Sequence, residues 1–145
     1  MGISAVDHSV NIIAFSKNGT NYGMCVAWAT QAAADKIICV LGSQSVTGKA
    51  IEKGDIVGFS CLEKSQTEIV YKLGSGHSDE IDKFSGIKIE TEGSAILIDG
   101  ARNKIKCKVL DLLKLEGIED SNVIYLEYID ALENAEAAAM HMSDL

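Results

Sequence analysis

The residues with the clearest capacity for chemistry lie in two neighbouring segments. Asn21–Thr30 reads Asn-Tyr-Gly-Met-Cys-Val-Ala-Trp-Ala-Thr, and the apolar run Ile37–Leu41 leads into Gly-Ser-Gln-Ser-Val-Thr-Gly-Lys at Gly42–Lys49. A strand with a tryptophan and small side chains offers a flat wall for an aromatic ring, and a hydroxyl-rich loop with a lysine offers donors for a phosphate. The pair of segments predicts a site for a phosphorylated planar cofactor.

The second segment supplies the donors for that phosphate. Ser43, Ser45 and Thr47 carry hydroxyls, and Lys49 together with the amides of a helix start adds positive character. The glycine spacing and the Lys-Ser/Thr ending of a P-loop are absent, so ATP or GTP is not indicated. The sequence also lacks a Gly-x-Ser-x-Gly or His-Glu-x-x-His motif, and hydrolysis is therefore not predicted.

A third segment, Leu73–Phe84, reads Leu-Gly-Ser-Gly-His-Ser-Asp-Glu-Ile-Asp-Lys-Phe. Together the three segments resemble the flavin reductase-like family, also called FMN-binding split barrels. Members carry an Asn-x-x-Met-Thr-Val-Ala-Trp-like strand, a Ser/Thr-rich phosphate loop and a Ser-Gly-Arg-Asp-x-Asp-Lys-Phe segment. His77 stands where the family commonly has Arg. The resemblance covers roughly residues 9–130.

The resemblance implies a mainly β fold, a six-stranded antiparallel Greek-key split barrel with short connecting helices, and FMN as the cofactor. It implies a homodimer in which FMN exchanges electrons with a nicotinamide or a small redox protein. It identifies no catalytic residue. The cofactor-binding residues carried over are Met24, Cys25, Val26, Ala27, Trp28, Ala29, Thr30, Ser43, Gln44, Ser45, Thr47, Lys49, Ser75 and His77.

The sequence departs from the family in ways that leave alternatives open. Many members that use NAD(P)H have a Gly-Asp-His loop near their last strands, and here Glu116–Asn122 replaces it with three acidic residues. Direct hydride transfer from anionic NAD(P)H is therefore in question. The leading hypothesis is an FMN-binding flavoprotein of this family that carries out electron transfer through its bound FMN, with an oxidoreductase activity favoured. An NAD(P)H:flavin oxidoreductase that uses diffusible flavin and a flavin-free structural or binding barrel are the alternatives.

Length and composition predict one folded domain over residues 1–145. The chain is 47% hydrophobic, with 13 Gly and no Pro. No run of 18 apolar residues and no signal-peptide pattern occurs, so we expect a cytoplasmic protein without a membrane partner.

Charge is distributed unevenly along the chain. Residues 1–114 hold all 13 Lys and Arg and 13 of the 21 Asp and Glu, so the net charge of −8 resides in residues 115–145. Without an excess of basic residues, nucleic acid is not an expected partner. An acidic end is suited to steer a basic redox partner, or it forms a solvated surface.

The four cysteines never stand at Cys-x-x-Cys spacing and the three histidines are scattered, so neither a metal site nor a disulfide framework is predicted. Cys25 lies in the cofactor motif where the family usually has Thr. It is therefore either a redox-active thiol beside a flavin or a small buried hydrophobe.

Short β-branched runs bounded by turn residues predict eight strands. They are Ser9–Ser16, Tyr22–Thr30, Lys36–Leu41, Asp55–Leu62, Ile87–Glu90, Ala95–Asp99, Lys104–Lys114 and Asn122–Ile129. Asn18-Gly19 predicts a hairpin between the first two.

Helices are expected only as connectors and at the C-terminal end. They are predicted over Thr47–Lys53, capped by Gly54, and over Ser65–Leu73, begun by a capping box. The Ala- and Glu-rich stretch Asn134–Met142 indicates a third helix within residues 132–142.

Overall fold

The computed structural model describes residues 5–43, 45–73 and 83–145. The predicted site residues Gln44, Ser75 and His77 lie outside the described residues. The strands are β1 Asn11–Lys17, β2 Thr20–Val26, β3 Ala29–Ala33, β4 Lys36–Gly42, β5 Ile56–Cys61, β6 Ile89–Glu92, β7 Ala95–Ile98, β8 Asn103–Leu113 and β9 Ser121–Glu133. The helices are α1 Val46–Ala50 and α2 Thr67–Leu73, with a 3-10 turn at Met142–Asp144.

The strands form one antiparallel sheet in the order β3-β4-β9-β8-β5-β1-β7-β6, with β2 paired to β1. The β1–β2 connection is the predicted hairpin, and Asn18 and Gly19 have φ angles of 52° and 82°. Positive φ at both central residues is what a tight hairpin of the right twist requires, which explains the Asn-Gly pair.

Six of the strands curl around one hydrophobic core. β1, β2, β4, β5, β8 and β9 all contribute to it, through Ile13, Phe15, Val26, Ile37, Cys39, Leu41, Val57, Phe59, Ile105, Cys107, Val109, Ile124 and Leu126. The predicted mainly β fold with a six-stranded barrel is confirmed. The described chain has nine strands, because β3, β6 and β7 extend the sheet beyond the six that share this core.

A second core lies on the outer face of β1. Ile12 and Ala14 alternate with the barrel residues Ile13 and Phe15, so β1 is buried on both faces. The outer pair packs with residues of β7, α2 and the C-terminal segment, including Met140. β1 is thus the central strand of the molecule, and its continuous apolar sequence follows from burial on two sides.

Two predicted elements are wrong. The strand Tyr22–Thr30 is interrupted, because β2 ends at Val26 and the chain turns before β3, with Ala29 N donating to Ala27 O at 2.9 Å. No Gly, Pro, Asn or Asp marks this turn, so the sequence carried no signal for it.

The helix predicted over residues 132–142 does not form. β9 continues to Glu133, and the segment after it pairs with other parts of the chain. Val10 N donates to Met140 O at 2.9 Å, and Met140 N donates to Leu62 O at 3.0 Å. Tertiary pairing and burial of Met140 outweigh the modest helix propensity of an Ala-rich run.

The two connecting helices are confirmed in place and shorter than predicted. α1 ends before Gly54, whose φ of +92° serves the turn into β5 instead of a helix cap. α2 begins at Thr67. The Ser65 hydroxyl donates a hydrogen bond to the Glu63 carboxylate instead of capping α2. Within the described ranges, no helix is long and apolar enough to cross a membrane.

Candidate functional site

The turn between β2 and β3 forms one wall of a large cleft. This cleft has a volume of about 650 Å³ and is lined by Ala5, Val6, Asp7, His8, Ala27, Trp28, Met142 and Ser143. Trp28 is 66% exposed although it is a large aromatic side chain. A volume in this range suits a small-molecule ligand, and an exposed indole offers such a ligand a face for stacking.

The opposite wall is held together by hydrogen bonds between two segments far apart in sequence. Ser143 donates to Asp7 through its hydroxyl at 2.8 Å and its backbone amide at 3.1 Å. These bonds lower the pKa of the Asp7 carboxyl from its usual value, and the charges of His141 and His8 act in the same direction. Asp7 is therefore a fixed carboxylate at the edge of the cleft.

The predicted strand residues before the turn do not all face one ligand. Met24 and Val26 pack against the barrel core, whereas Cys25, on the opposite face of β2, packs against the second core. Ala27 and Trp28 line the large cleft. The structure therefore divides residues 24–28 of the predicted ring-binding segment among three environments.

Ala29 and Thr30 open onto a separate cavity of about 170 Å³ at one end of the barrel. Its floor is apolar, with Ile37, Phe59 and Ile105, and Tyr128 stands at its side. This cavity is much smaller than the cleft beside Trp28. Of the two cavities, only the cleft has the volume for a nucleotide-sized ligand.

Cys25 has the environment of a structural thiol. Burial raises the pKa of Cys25 to about 11, while the Lys83 ammonium acts in the opposite direction. Its sulfur lies 3.9 Å from Val70 O. A thiol with this pKa is almost entirely protonated near neutral pH, so Cys25 is a poor nucleophile.

The predicted phosphate loop folds onto the middle of β2. Ser45 caps α1 by accepting a hydrogen bond from Gly48 N at 2.9 Å, and its hydroxyl donates to Gly42 O at 2.8 Å. Thr47 is buried, and its hydroxyl lies 3.4 Å from Gly23 O.

The remaining predicted hydroxyl donor of the loop is Ser43. Its hydroxyl donates to Asp120 O at 2.8 Å. Each of the three predicted hydroxyl donors is thus engaged within the chain.

Lys49 is the cation of this loop that remains available. It is exposed, and within the described residues it forms no ion pair and no side-chain hydrogen bond. The end of α1 is fixed by Lys17, whose ammonium donates to Ala50 O at 2.9 Å and to Asp55 at 3.0 Å. An anion at this loop would therefore meet one free ammonium on a short, anchored helix.

The loop contacts β2, the strand that leads into the cleft. Ser45 Oγ lies 3.6 Å from Met24 Sδ, and Trp28 is four residues further along. Four residues span at most roughly 14 Å. A ligand with an aromatic ring at Trp28 and a phosphate near Lys49 would lie along this segment.

Sequence reasoning missed most of the cleft. Ala5, Val6, Asp7 and His8 come from one end of the chain and Met142 and Ser143 from the other. Their types and spacing carry no motif, and the two segments come together through pairing such as that of Ser9 with His141 and the hydrogen bond from Met142 N to His8 O at 2.8 Å. In the described part of the chain, no group of three or more His, Cys, Asp or Glu is arranged to hold a metal ion.

A family model described as "Flavin reductase like domain" matches residues 3–144. The chain belongs to the flavin reductase-like family. The predicted resemblance to this family is confirmed. No curated protein matches the chain.

Solved structures of this family share the fold. The NADH:FAD oxidoreductase of Streptomyces globisporus superposes with a TM-score of 0.81 at 20% identity, over 94% of this chain and 81% of that one. A flavin reductase domain protein from Arthrobacter gives 0.80 at 17% identity, over 92% and 82%. Flavoredoxin from Methanosarcina acetivorans gives 0.74 at 15% identity, over 93% and 75%. These likenesses establish the split-barrel fold.

Proposed function

We propose that the chain is a flavin-dependent redox protein that binds FMN in the cleft beside Trp28 and transfers electrons through it. The observation that carries the proposal is the exposed Trp28 in a cleft of about 650 Å³, within a chain of the flavin reductase-like family. Bound flavin would supply the electron-accepting and electron-donating chemistry. The chain's own residues bind it and orient it.

Three features of the described residues support this placement. The indole of Trp28 supplies a face for the ring, and the small side chain of Ala27 lets the ring approach the backbone. Lys49 supplies the charge for the phosphate. The structure of the Streptomyces oxidoreductase in complex with NAD and FAD fragments, which superposes with a TM-score of 0.80, also supports a flavin ligand for this fold.

Lys49→Gln is expected to weaken FMN binding about tenfold, because a charge-assisted hydrogen bond to the phosphate is lost. Riboflavin, which has the same ring and no phosphate, should bind wild type and variant equally. Equilibrium dialysis with each flavin measures both affinities.

Lys53→Gln is the matched control. Lys53 is an exposed lysine just after α1, and it lies outside both the cleft and the loop. If Lys49→Gln leaves FMN binding unchanged, or weakens riboflavin equally, the phosphate does not lie at this loop.

A second candidate, an NAD(P)H:flavin oxidoreductase that uses flavin as a diffusible substrate, is favoured by one observation. Because Ser43, Ser45 and Thr47 already donate within the chain, the loop offers fewer free donors than a tight phosphate site needs. Steady-state consumption of NADH with excess FMN tests it. Turnover that saturates with added flavin supports this candidate, and its absence supports a protein-partnered carrier.

We further propose a homodimer located in the cytoplasm. β3 pairs with β4 on one side only within the described residues, and Gln31, Ala32 and Ala33 are exposed on this edge strand. The edge of an unpaired strand presents free backbone N–H and C=O groups, and a second copy of the chain would cover them. Sedimentation equilibrium should give twice the chain mass, whereas a monomer at micromolar concentration contradicts the dimer.

The proposed location in the cytoplasm is supported by the cysteines. All four are free thiols, in keeping with a reducing compartment.

A further inference from the structure

The connection between β8 and β9 exposes an unusual set of apolar side chains. We define the hairpin tip as residues 113–120. Leu113, Leu115 and Ile118 are 43%, 47% and 44% exposed. A single exposed leucine is ordinary, but three such side chains in six consecutive positions at the end of a hairpin form a patch.

The same tip is acidic and ordered. Glu116, Glu119 and Asp120 form no salt bridge with any described residue.

Hydrogen bonds within the tip hold its shape. Lys114 is the cation of the tip, and its ammonium donates to Glu119 O at 3.0 Å. Gly117 N donates to the Glu119 carboxylate at 2.6 Å, and Ile118 N donates to Leu115 O at 3.2 Å. These bonds hold the apolar and acidic side chains in one arrangement before any partner arrives.

The hairpin tip adjoins the proposed flavin site. Ser43 donates to Asp120 O through its amide at 2.9 Å and its hydroxyl at 2.8 Å. Ser43 begins the loop that carries Lys49, and the neighbouring Gly42 pairs with Ser121 at the start of β9. A protein seated on the tip would therefore contact the surface next to the phosphate end of a bound flavin.

We propose that the hairpin tip is the docking surface for a small, positively charged electron-transfer protein. This inference rests on the proposed function for its purpose, because docking beside the flavin brings two redox groups together. An apolar patch among side chains that are mainly acidic suits fast, steered and transient association with a basic partner.

Charge argues against a second copy of this chain as the occupant. A symmetric dimer through the tip would set Glu116, Glu119 and Asp120 against the same residues of its mate, and like charges across an interface are unfavourable. The chain as a whole carries a net charge of −8, which also favours a basic partner.

The test is a chemical-shift titration of the ¹⁵N-labelled chain with reduced cytochrome c as a basic redox-protein probe. The measurement does not need bound flavin, so its result is independent of the outcome for the proposed function. At low ionic strength, the amides of residues 113–120 are expected to shift most. Shifts centred elsewhere, or no shifts, would overturn the proposal.

Two variants separate the tip from net charge. Glu116→Lys/Glu119→Lys is expected to weaken binding about tenfold or more at low salt and to flatten its salt dependence. The matched control is Glu92→Lys/Glu136→Lys, which makes the same change in net charge at exposed carboxylates without a salt bridge in the described part of the chain. Equal weakening by both variants would mean attraction by net charge alone and would contradict a defined docking surface.

A third variant tests the apolar component. Leu115→Ser/Ile118→Ser keeps every charge and is expected to weaken binding about fivefold while leaving the salt dependence unchanged. Binding unaffected by this change would overturn the role of the patch. Concentration-dependent shifts of the tip amides without cytochrome c would show a second copy as the occupant and would also overturn the proposal.

Discussion

Trp28→Ala is expected to lower the affinity for FMN by about tenfold or more, with little change in the free energy of unfolding. Stacking of a flat heteroaromatic ring on an aromatic side chain is worth about 1–3 kcal/mol. Trp28 is 66% exposed, so its removal leaves no cavity in either core. Equilibrium dialysis gives the affinity, and urea denaturation of the free protein gives the stability.

Tyr71→Ala is the matched control for this substitution. Tyr71 is 70% exposed, it lies on α2, and it lines none of the described cavities. Its loss should leave the FMN affinity within about twofold of wild type. If Trp28→Ala binds FMN as tightly as Tyr71→Ala does, the ring does not stack on Trp28 and the cleft is not the flavin site.

Gly58→Ala is expected to destabilise the fold by about 3 kcal/mol or more, because β7 crosses close above β5. An added Cβ at Gly58 would lie 1.9 Å from Ile96 O and 2.6 Å from Ile96 C, and both are backbone atoms of β7. A backbone held in a sheet cannot move aside cheaply, so the substitution forces strain on the second core. The urea midpoint should fall by roughly 1–2 M.

Gly42→Ala provides the comparison for Gly58→Ala. Gly42 also lies in a strand, and a Cβ there would meet no atom within 4 Å. Its effect on the free energy of unfolding should stay within about 0.5 kcal/mol. Equal stability of the two alanine variants would contradict the close approach of β5 and β7.

The sequence predicted those elements whose signals are local. The Asn18-Gly19 pair specifies its hairpin by backbone geometry alone, and the alternating or continuous apolar runs specify the strands. The turn at Ala27–Trp28 carries no turn residue, and it is fixed by contacts such as the hydrogen bond from Val40 N to Trp28 O. Such contacts join residues distant in sequence, so no local pattern records them.

The same division applies to the candidate site. Trp28 and Lys49 were predicted from their motifs, and the structure leaves the indole exposed and the ammonium free within the described residues. Asp7 and Ser143 line the cleft only because the segment around Met140 pairs beside β1. The sequence predicted a helix in this segment, so it could not predict this wall of the cleft.

The central claim is that FMN binds against Trp28, and a fluorescence titration tests it most directly. Trp28 is the sole tryptophan of the chain, so its emission reports on this cleft alone. In protein freed of any co-purified flavin, addition of FMN should quench the emission along a saturating curve, beyond the absorptive loss measured with free tryptophan. Emission that falls only as the free-tryptophan control does, at FMN concentrations up to the millimolar range, would contradict the claim.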